Sequence, residues 1–377
     1  MVNKNFLNGI AMGLIGKGEP TFNSTNNFST GYVLGAELRK ERSNPAPVFG
    51  VEWDYSQSST KLTRTHDAVA FADPAPATSL TETGTSPFDN LMPWYGMKRV
   101  TIGTDEMVYI PKFYYRAEDD PSNSKMRWQI TYAPKEGFAL HPGSGRYIAR
   151  YHTSTGYASV SGARPIGGLT VDIFRINSHA KGDKWWMLDM ATWSAVQYLY
   201  LIEYADWDSQ TVLGRGQITN GIVNTGGTDT AKYHTIKAEA TSHQYRWIED
   251  PFSNIRSFAN GCICNTDLSV WVGTNNEDFD YSTNGLVNTG VKLPNGNGYA
   301  TKLGLSEVAP WLFIPTELGG GAGIYLSDYS MGKTGVSALT VGGSNSTDDR
   351  YGMFMFDAND SITFTASDAG SRLIYIP

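Results

Sequence analysis

Turn-forming residues dominate the chain after Ser209, and this limits it to folds that are built from short strands and loops. Glycine and asparagine are dense in residues 214–227, 275–298 and 319–323. Both residues favour the tight turns at which a chain reverses direction. Of the 377 residues, 40 are glycine, 21 are tyrosine and only 18% are charged. We therefore predict an α+β fold that is rich in strands and loops.

One segment has clear helical periodicity. Trp193, Val196 and Tyr200 fall on one side of a helix, and Tyr204 lies one turn further along. This spacing predicts a helix over residues 192–204, with Thr192 as its N-cap. The aromatic stripe of this helix is expected to pack into a core.

Runs of β-forming residues predict strands in the first third of the chain. Residues 48–55 and 61–64 alternate loosely between apolar and polar side chains. Residues 107–115 are interpreted as a pair of strands, because Pro111 interrupts the run. Residues 74–87, rich in proline, threonine and serine, are expected to form a loop.

The charge balance excludes several classes of partner. The net charge is −7 and lysine and arginine form no cluster, which argues against nucleic acid and against an anionic membrane surface. No apolar stretch approaches the ~20 residues of a membrane-spanning helix, so we expect no membrane insertion. The start of the chain lacks a basic region followed by a cleavage site, which predicts synthesis in the host cytoplasm without a signal peptide.

Few residues carry patterns typical of chemistry. Cys262 and Cys264 are two positions apart, a spacing poorly suited to a disulfide, and are expected to be a free, partly buried pair. The six histidines form no His-Glu-x-x-His pattern, and no Gly-x-Ser-x-Gly nucleophile turn occurs. We predict no catalytic residue, no metal centre and no cofactor.

A calcium loop is the one alternative that the residues leave open. Asp278, Asp280, Ser282 and Asn284 alternate oxygen side chains as calcium-binding loops do. The turn glycine and the final glutamate of an EF-hand are missing. The simpler interpretation is a solvated turn, with calcium kept as the alternative.

A series of short motifs over residues 105–377 carries a family resemblance. In order they are Met-Val-Tyr-Ile-Pro-Lys-Phe (107–113), Gly-Arg-Tyr-Ile-Ala-Arg-Tyr (145–151), Ala-Thr-Trp-Ser-Ala (191–195), Glu-Asp-Pro-Phe-Ser-Asn (249–254), Val-Gly-Gly-Ser (341–344) and Ala-Gly-Ser-Arg-Leu (369–373). This order resembles the C-type-lectin fold of formylglycine-generating enzymes and of the variable proteins of diversity-generating retroelements. The Cys262-x-Cys264 pair does not match the wider cysteine spacing of the enzyme branch, so the resemblance implies a binding protein and not an enzyme.

The N-terminal part is similar to phage tail proteins. The similarity lies in residues 7–17, in Gly-Val-Glu-Trp-Asp (50–54) and in Leu-Thr-Arg-Thr (62–65). It implies an attachment or oligomerisation segment (1–45), a small β-rich connector (46–104) and a C-type-lectin-like domain (105–377). Residues 1–45 carry apolar side chains but are too few to bury them alone, and a tail tip has a symmetry axis, so we expect a homotrimer.

Together these resemblances imply a tropism-determining receptor-binding protein at the tip of a bacteriophage tail. Its partners would be a bacterial surface receptor, either protein or glycan, and other tail proteins. A variable binding region is expected within residues 310–377. Two alternatives stay open: a structural tail or baseplate component without its own receptor, and a glycan or cell-wall hydrolase.

All the expected binding residues except Tyr351 lie between two apolar segments, 310–315 and 351–356, which should be buried. Tyrosine and small polar residues between them are typical of adaptable binding surfaces, because tyrosine gives rigid amphipathic contact. The predicted ligand-binding residues, expected on one exposed surface, are Tyr325, Ser327, Asp328, Tyr329, Asn345, Asp348, Asp349, Arg350 and Tyr351.

Overall fold

The computed structural model describes residues 46–219, 221–347 and 350–377, and over these the fold is α+β and rich in strands, as predicted. The strands are β1 (Phe49–Asp54), β2 (Thr63–His66), β3 (Arg99–Ile102), β4 (Asp105–Ile110), β5 (Tyr114–Asp120), β6 (Lys125–Thr131), β7 (Ala139–Leu140), β8 (Arg146–Ala149), β9 (Trp185–Met187), β10 (Gln244–Tyr245), β11 (Ile248–Glu249), β12 (Arg256–Cys264), β13 (Ser269–Val272), β14 (Val287–Lys292), β15 (Gly296–Gly304), β16 (Ile314–Leu318), β17 (Tyr329–Gly332), β18 (Ser337–Val341), β19 (Phe356–Ala358), β20 (Ala369–Gly370) and β21 (Leu373–Tyr375). The α-helices are α1 (Val171–His179), α2 (Met190–Tyr204) and α3 (Ser209–Leu213), and 3-10 turns lie at Trp94–Gly96 and Asn276–Asp278.

The first sheet joins the predicted connector to the region after it. Its strand order is β2-β1-β6-β5-β7, and β1 runs antiparallel to β6 with Val51 opposite Trp128. Val48–Pro377 accordingly form one compact unit, with no boundary between units at residue 104. The strand predicted at 48–55 is confirmed as β1, whereas the strand predicted at 61–64 lies at Thr63–His66.

A second sheet brings the end of the chain against the first motif strands. Its order is β3-β4-β8-β21-β9, so the C-terminal strand β21 lies between β8 and β9. The strand pair predicted at 107–115 is confirmed as β4 and β5, with Pro111 between them.

The largest sheet carries most of the proposed variable region. Its order is β14-β13-β12-β18-β19-β17-β15-β16, and β20 adds to β12 in parallel. Strands β17 and β19 also run parallel, which places residues far apart in sequence on one continuous surface.

Helix α2 is the centre of the core. All fifteen residues of Met190–Tyr204 are buried, which confirms both the predicted helix and its role in packing. The prediction of Thr192 as N-cap is wrong. Asp189 is the N-cap: its Oδ1 accepts a hydrogen bond from the Thr192 backbone N–H at 2.7 Å, while its Oδ2 lies 2.8 Å from Nη1 of Arg146. A carboxylate that caps the helix and pairs with a buried arginine is the better acceptor at this position.

The two segments that flank the predicted binding residues are buried. Trp311–Pro315 are buried, with only Pro310 half-buried, and every residue from Tyr351 to Phe356 is buried. Phe354 packs edge-on against Trp207, with ring centroids 4.7 Å apart. The prediction of two buried apolar segments is confirmed, and residues 1–45, the predicted oligomerisation segment, lie outside the described residues.

Candidate functional site

Two neighbouring strands present a row of half-exposed side chains. Along β17, Tyr329 and Met331 are half-buried while Ser330 between them is buried, as the two-residue period of a strand requires. In the antiparallel pairing with β15, Tyr299 lies opposite Tyr329 and Asn297 opposite Met331. Residues opposite each other in a sheet share a face, so these side chains form one surface.

Arg350 and Tyr351 complete this surface from a loop. The Tyr329 ring packs edge-on against Tyr299 at 5.1 Å and against Tyr351 at 5.8 Å between centroids. The Arg350 guanidinium lies 5.4 Å from the Tyr329 ring centre and 5.5 Å from that of Tyr351. Edge-to-face packing and cation–π attraction both hold such a cluster in one geometry. We call Tyr299, Tyr329, Met331, Arg350 and Tyr351 the tyrosine face.

Two glycines allow the backbone to reach Tyr351. Gly342 and Gly343 have φ of +82° and +55°, a region that residues with a side chain rarely adopt. A Cβ on Gly343 would lie 2.5 Å from the Cβ of Tyr351. The backbone at both positions therefore favours glycine, and the close approach of Gly343 to Tyr351 links this segment to the tyrosine face.

Asp328 lies beneath the loop and not on the surface. Its side chain is buried, Oδ2 accepts a hydrogen bond from the Phe354 backbone N–H at 2.6 Å, and Oδ1 accepts one from Nε2 of Gln210 at 3.3 Å. Burial raises the pKa of this carboxyl to about 7. The expectation that Asp328 is exposed is wrong, because the backbone donors of a buried loop need an acceptor beneath them.

Two other predicted surface residues are also buried. Ser327 is 2% exposed, and its hydroxyl donates to the backbone carbonyl of Trp207 at 3.4 Å. Tyr351 is only 5% exposed, so it contributes to the tyrosine face by its packing against Tyr329 and its contact with Arg350. The expectation that both side chains are exposed is wrong. Neither the neighbouring residues in the sequence nor the composition show which part of the fold will cover a loop.

Of the remaining predicted residues, Asn345 and Tyr325 are not part of the tyrosine face. Asn345 is half-buried and its backbone N–H donates to the carbonyl of Asn254 at 3.0 Å, which ties it to a different loop. Tyr325 is half-buried, has φ of +53° and packs against the core. Asp348 and Asp349 lie outside the described residues. Of the predicted set, Tyr329, Arg350 and Tyr351 are the residues that the structure brings together.

A polar cleft lies next to Asp328. It encloses about 330 Å³, and its walls include Asp208, Gln210, Arg215, Lys237, Glu239 and Ser327. Gln210 belongs to this wall and also donates a hydrogen bond to Asp328. Because Asp328 accepts from the Phe354 N–H, Gln210 links the cleft to the loop that carries Tyr351. Both signs of charge are present in the wall, which suits a ligand with hydroxyl or amide groups better than a simple anion.

Sequence reasoning missed Tyr299 and Met331. Each occupies an outward position of a strand, but the opposition of Tyr299 to Tyr329 depends on a register between strands thirty residues apart. Alternation within the two segments was the available signal, and it does not specify which strands become neighbours.

The candidate chemical groups outside this region are satisfied by their own surroundings. Cys262 and Cys264 are free, as expected, but both are fully buried and not partly buried, and burial raises the pKa of Cys264 to about 11. Asp280 accepts hydrogen bonds from the backbone N–H and the hydroxyl of Ser282 at 2.9 and 2.6 Å. Among the described residues, no group of three or more histidines, cysteines or acids could hold a metal ion.

No family model matches the chain, and no curated protein matches it. In the part of the chain that the structure describes, none of the helices is both long and apolar enough to cross a membrane.

Proposed function

We propose that this chain is a bacteriophage tail receptor-binding protein that binds a bacterial surface receptor through the tyrosine face. The observation that carries the proposal is the cluster of Tyr329, Arg350 and Tyr351, held in one geometry above buried strands. Tyrosine and arginine are the residue types that most often anchor binding interfaces. The virion tail tip is the location that this role implies.

The topology supports a C-type-lectin-like domain as the scaffold. The motif at 107–113 begins in β4 and the motif at 145–151 contains β8, and these strands are direct neighbours. The last motif leads into β21, which pairs with β8 and closes the end of the chain onto the start of the domain. Because the first and last strands of this domain belong to one sheet, the long region between them is available to form a binding surface.

The closely packed residues next to the tyrosine face favour a binding role over a purely structural one. Phe354 and Met353 lie directly after the face and are buried, and the Met353 N–H donates to the Ser209 hydroxyl at 2.8 Å. Surfaces that are held in place lose little conformational entropy on binding. A single face of this size gives modest affinity, and a homotrimer repeated on a virion would raise it by avidity.

The test is adsorption to bacterial cells. Purified full-length protein should bind cells of the host and compete with phage adsorption, and Tyr329→Ala and Arg350→Ala should weaken both effects. Tyr95→Ala is the matched control, because Tyr95 is 52% exposed and has its own cation contact, with Lys98 Nζ 4.5 Å from the ring centre. Wild-type protein that neither binds cells nor competes would favour the structural tail component instead.

Assembly is tested separately. We propose a homotrimer, and light scattering of full-length protein should give three times the mass of the 41.3 kDa chain. A stable monomer at micromolar concentration would contradict the proposed assembly.

A further inference from the structure

Four aromatic side chains form a ladder across the second sheet, away from the tyrosine face. Tyr109 on β4 lies opposite Tyr147 on β8, Tyr147 lies opposite Tyr375 on β21, and Tyr375 lies opposite Trp185 on β9. Successive ring centroids are 4.9, 5.9 and 5.1 Å apart. Each of the four side chains is half-buried, so one side of the row faces solvent. We call these four residues the aromatic ladder.

The ladder stands on a rigid base. On the same face, one row further along the strands, Met107, Ala149 and Leu373 are fully buried. On the opposite face Val108 and Ile148 belong to the main core. Because both supports are closely packed, the rings keep their spacing without a ligand, and binding would cost little ordering of the protein.

Polar groups accompany the rings. Within the described part of the chain, the hydroxyls of Tyr109, Tyr147 and Tyr375 have no hydrogen-bond partner in the protein. Lys184 Nζ lies 5.9 Å from the Tyr375 ring centre, and Lys181 Nζ lies 4.9 Å from that of Trp185.

A cleft of about 390 Å³ continues from the Trp185 end of the ladder, lined by residues 102–105, Lys181 and Trp185. The row therefore ends in a pocket where further groups of a ligand can be held.

The local charges balance. Lys181 forms an ion pair with the buried Asp105 at 3.0 Å. The exposed Lys184 has no ion pair within the part of the chain that the structure describes, and the exposed Asp183 precedes it in the same turn. The exposed surface is thus aromatic and hydroxyl-rich, with little net charge and no aliphatic side chain in the row. An apolar protein segment would leave the hydroxyls unpaired on docking, at a cost in desolvation.

We infer that the aromatic ladder is a second binding surface, and that its ligand is a neutral saccharide chain. Sugar rings present C–H groups that pack on aromatic faces and a rim of hydroxyls that pair with phenol and ammonium groups. Four strands at about 4.8 Å spacing give a row of about 14 Å, enough for a chain of several sugar units. The inference does not depend on the tyrosine face, which lies on another sheet.

The probes are three neutral oligosaccharides, maltohexaose, cellohexaose and chitohexaose, titrated separately into full-length protein by calorimetry. At least one should bind, and Tyr147→Ala and Tyr375→Ala should each weaken that binding by about tenfold or more. Tyr147→Phe keeps the ring and removes the hydroxyl, so it should weaken binding less than Tyr147→Ala. Trp185→Phe should retain binding and lose the part of the fluorescence change that arises from Trp185.

The matched control is Tyr132→Ala, because Tyr132 is 40% exposed and follows β6 in a different sheet. Its affinity should equal that of wild type, and each variant is checked by thermal unfolding. Failure of all three probes to bind at millimolar concentration would overturn the inference, as would equal affinity in Tyr147→Phe, Tyr147→Ala and wild type.

Two other outcomes would assign the ladder to a different occupant and so overturn the inference. Self-association of the wild type that Tyr375→Ala abolishes would show that a second copy covers the ladder. Binding of hexagalacturonate alone, lost at high salt, would show an acidic ligand. Cell adsorption by the Tyr329→Ala variant is measured independently, so failure of the proposed receptor site and failure of the ladder are distinguishable.

Discussion

The buried carboxyl of Asp328 makes the stability of the domain depend on pH in a predictable direction. Desolvation raises its pKa from 3.8 to about 7, and the charge of Asp208 acts in the same sense, against the hydrogen bonds from Phe354 N–H and Gln210. Below pH 3.8 both the folded and the unfolded chain hold the proton. Between pH 3.8 and 7 the unfolded chain has released it while the folded chain retains it, so stability falls as pH rises.

The magnitude follows from the size of the shift. A displacement of about three pKa units corresponds to about 4 kcal/mol of unfolding free energy, lost between pH 4 and 7 and constant above. Asp328→Asn has no proton to release at this position. We therefore expect the unfolding free energy of Asp328→Asn, minus that of wild type, to rise by about 4 kcal/mol from pH 4 to pH 7.5.

The assay is urea unfolding of both proteins at several pH values from 4 to 7.5. Taking the difference between the two proteins cancels the other titrating groups. Asp267→Asn is the control: Asp267 is exposed, and hydrogen bonds from Lys292 and Ser269 lower its pKa, so its difference from wild type should stay flat over this range. A flat difference for Asp328→Asn as well, within about 0.5 kcal/mol, would refute the conclusion that burial raises the pKa of Asp328.

Four further variants test the candidate site and its scaffold. Tyr329→Ala and Arg350→Ala should each weaken cell binding by roughly 1–3 kcal/mol, seen as a shift of the binding isotherm in protein that thermal unfolding shows to be folded. Phe354→Ala should destabilise the domain by about 3–5 kcal/mol in urea unfolding, because it opens a cavity beside buried rings. The double variant Cys262→Ala with Cys264→Ala should bind cells as wild type does, and loss of binding in a folded double variant would contradict the absence of a functional thiol.

Local features of the fold were predictable because their causes are local. The period of Trp193 and Tyr200 identifies α2, and Pro111 separates β4 from β5 whatever lies around them. The cap of α2 was misassigned to Thr192 although Asp189 is the stronger acceptor three residues earlier, and its second role, the pairing with Arg146, depends on a strand forty residues away. Capping that is coupled to tertiary contact is therefore only partly visible in sequence.

Three of the five residues of the tyrosine face could be predicted from the sequence. The other two depend on contacts between segments that are distant in sequence. Tyr329, Arg350 and Tyr351 were identified from residue type and position, whereas Tyr299 requires the register between β15 and β17. Asp328 was misplaced for the same reason: its partner Phe354 lies on a segment that reaches it only through the fold. Polarity alone does not distinguish a residue that faces solvent from one that satisfies buried donors.

This distinction separates two kinds of polar residue within the proposed variable region. Tyr329 and Arg350 are half-buried and contribute their side chains to the tyrosine face. Asp328 and Gly343 determine where that backbone lies, one by accepting the Phe354 N–H and the other by having no Cβ where Tyr351 approaches. In the proposed receptor-binding role, replacing the first kind would change what the surface binds, while the hydrogen bond to Asp328 and the close packing at Gly343 keep the loop in place.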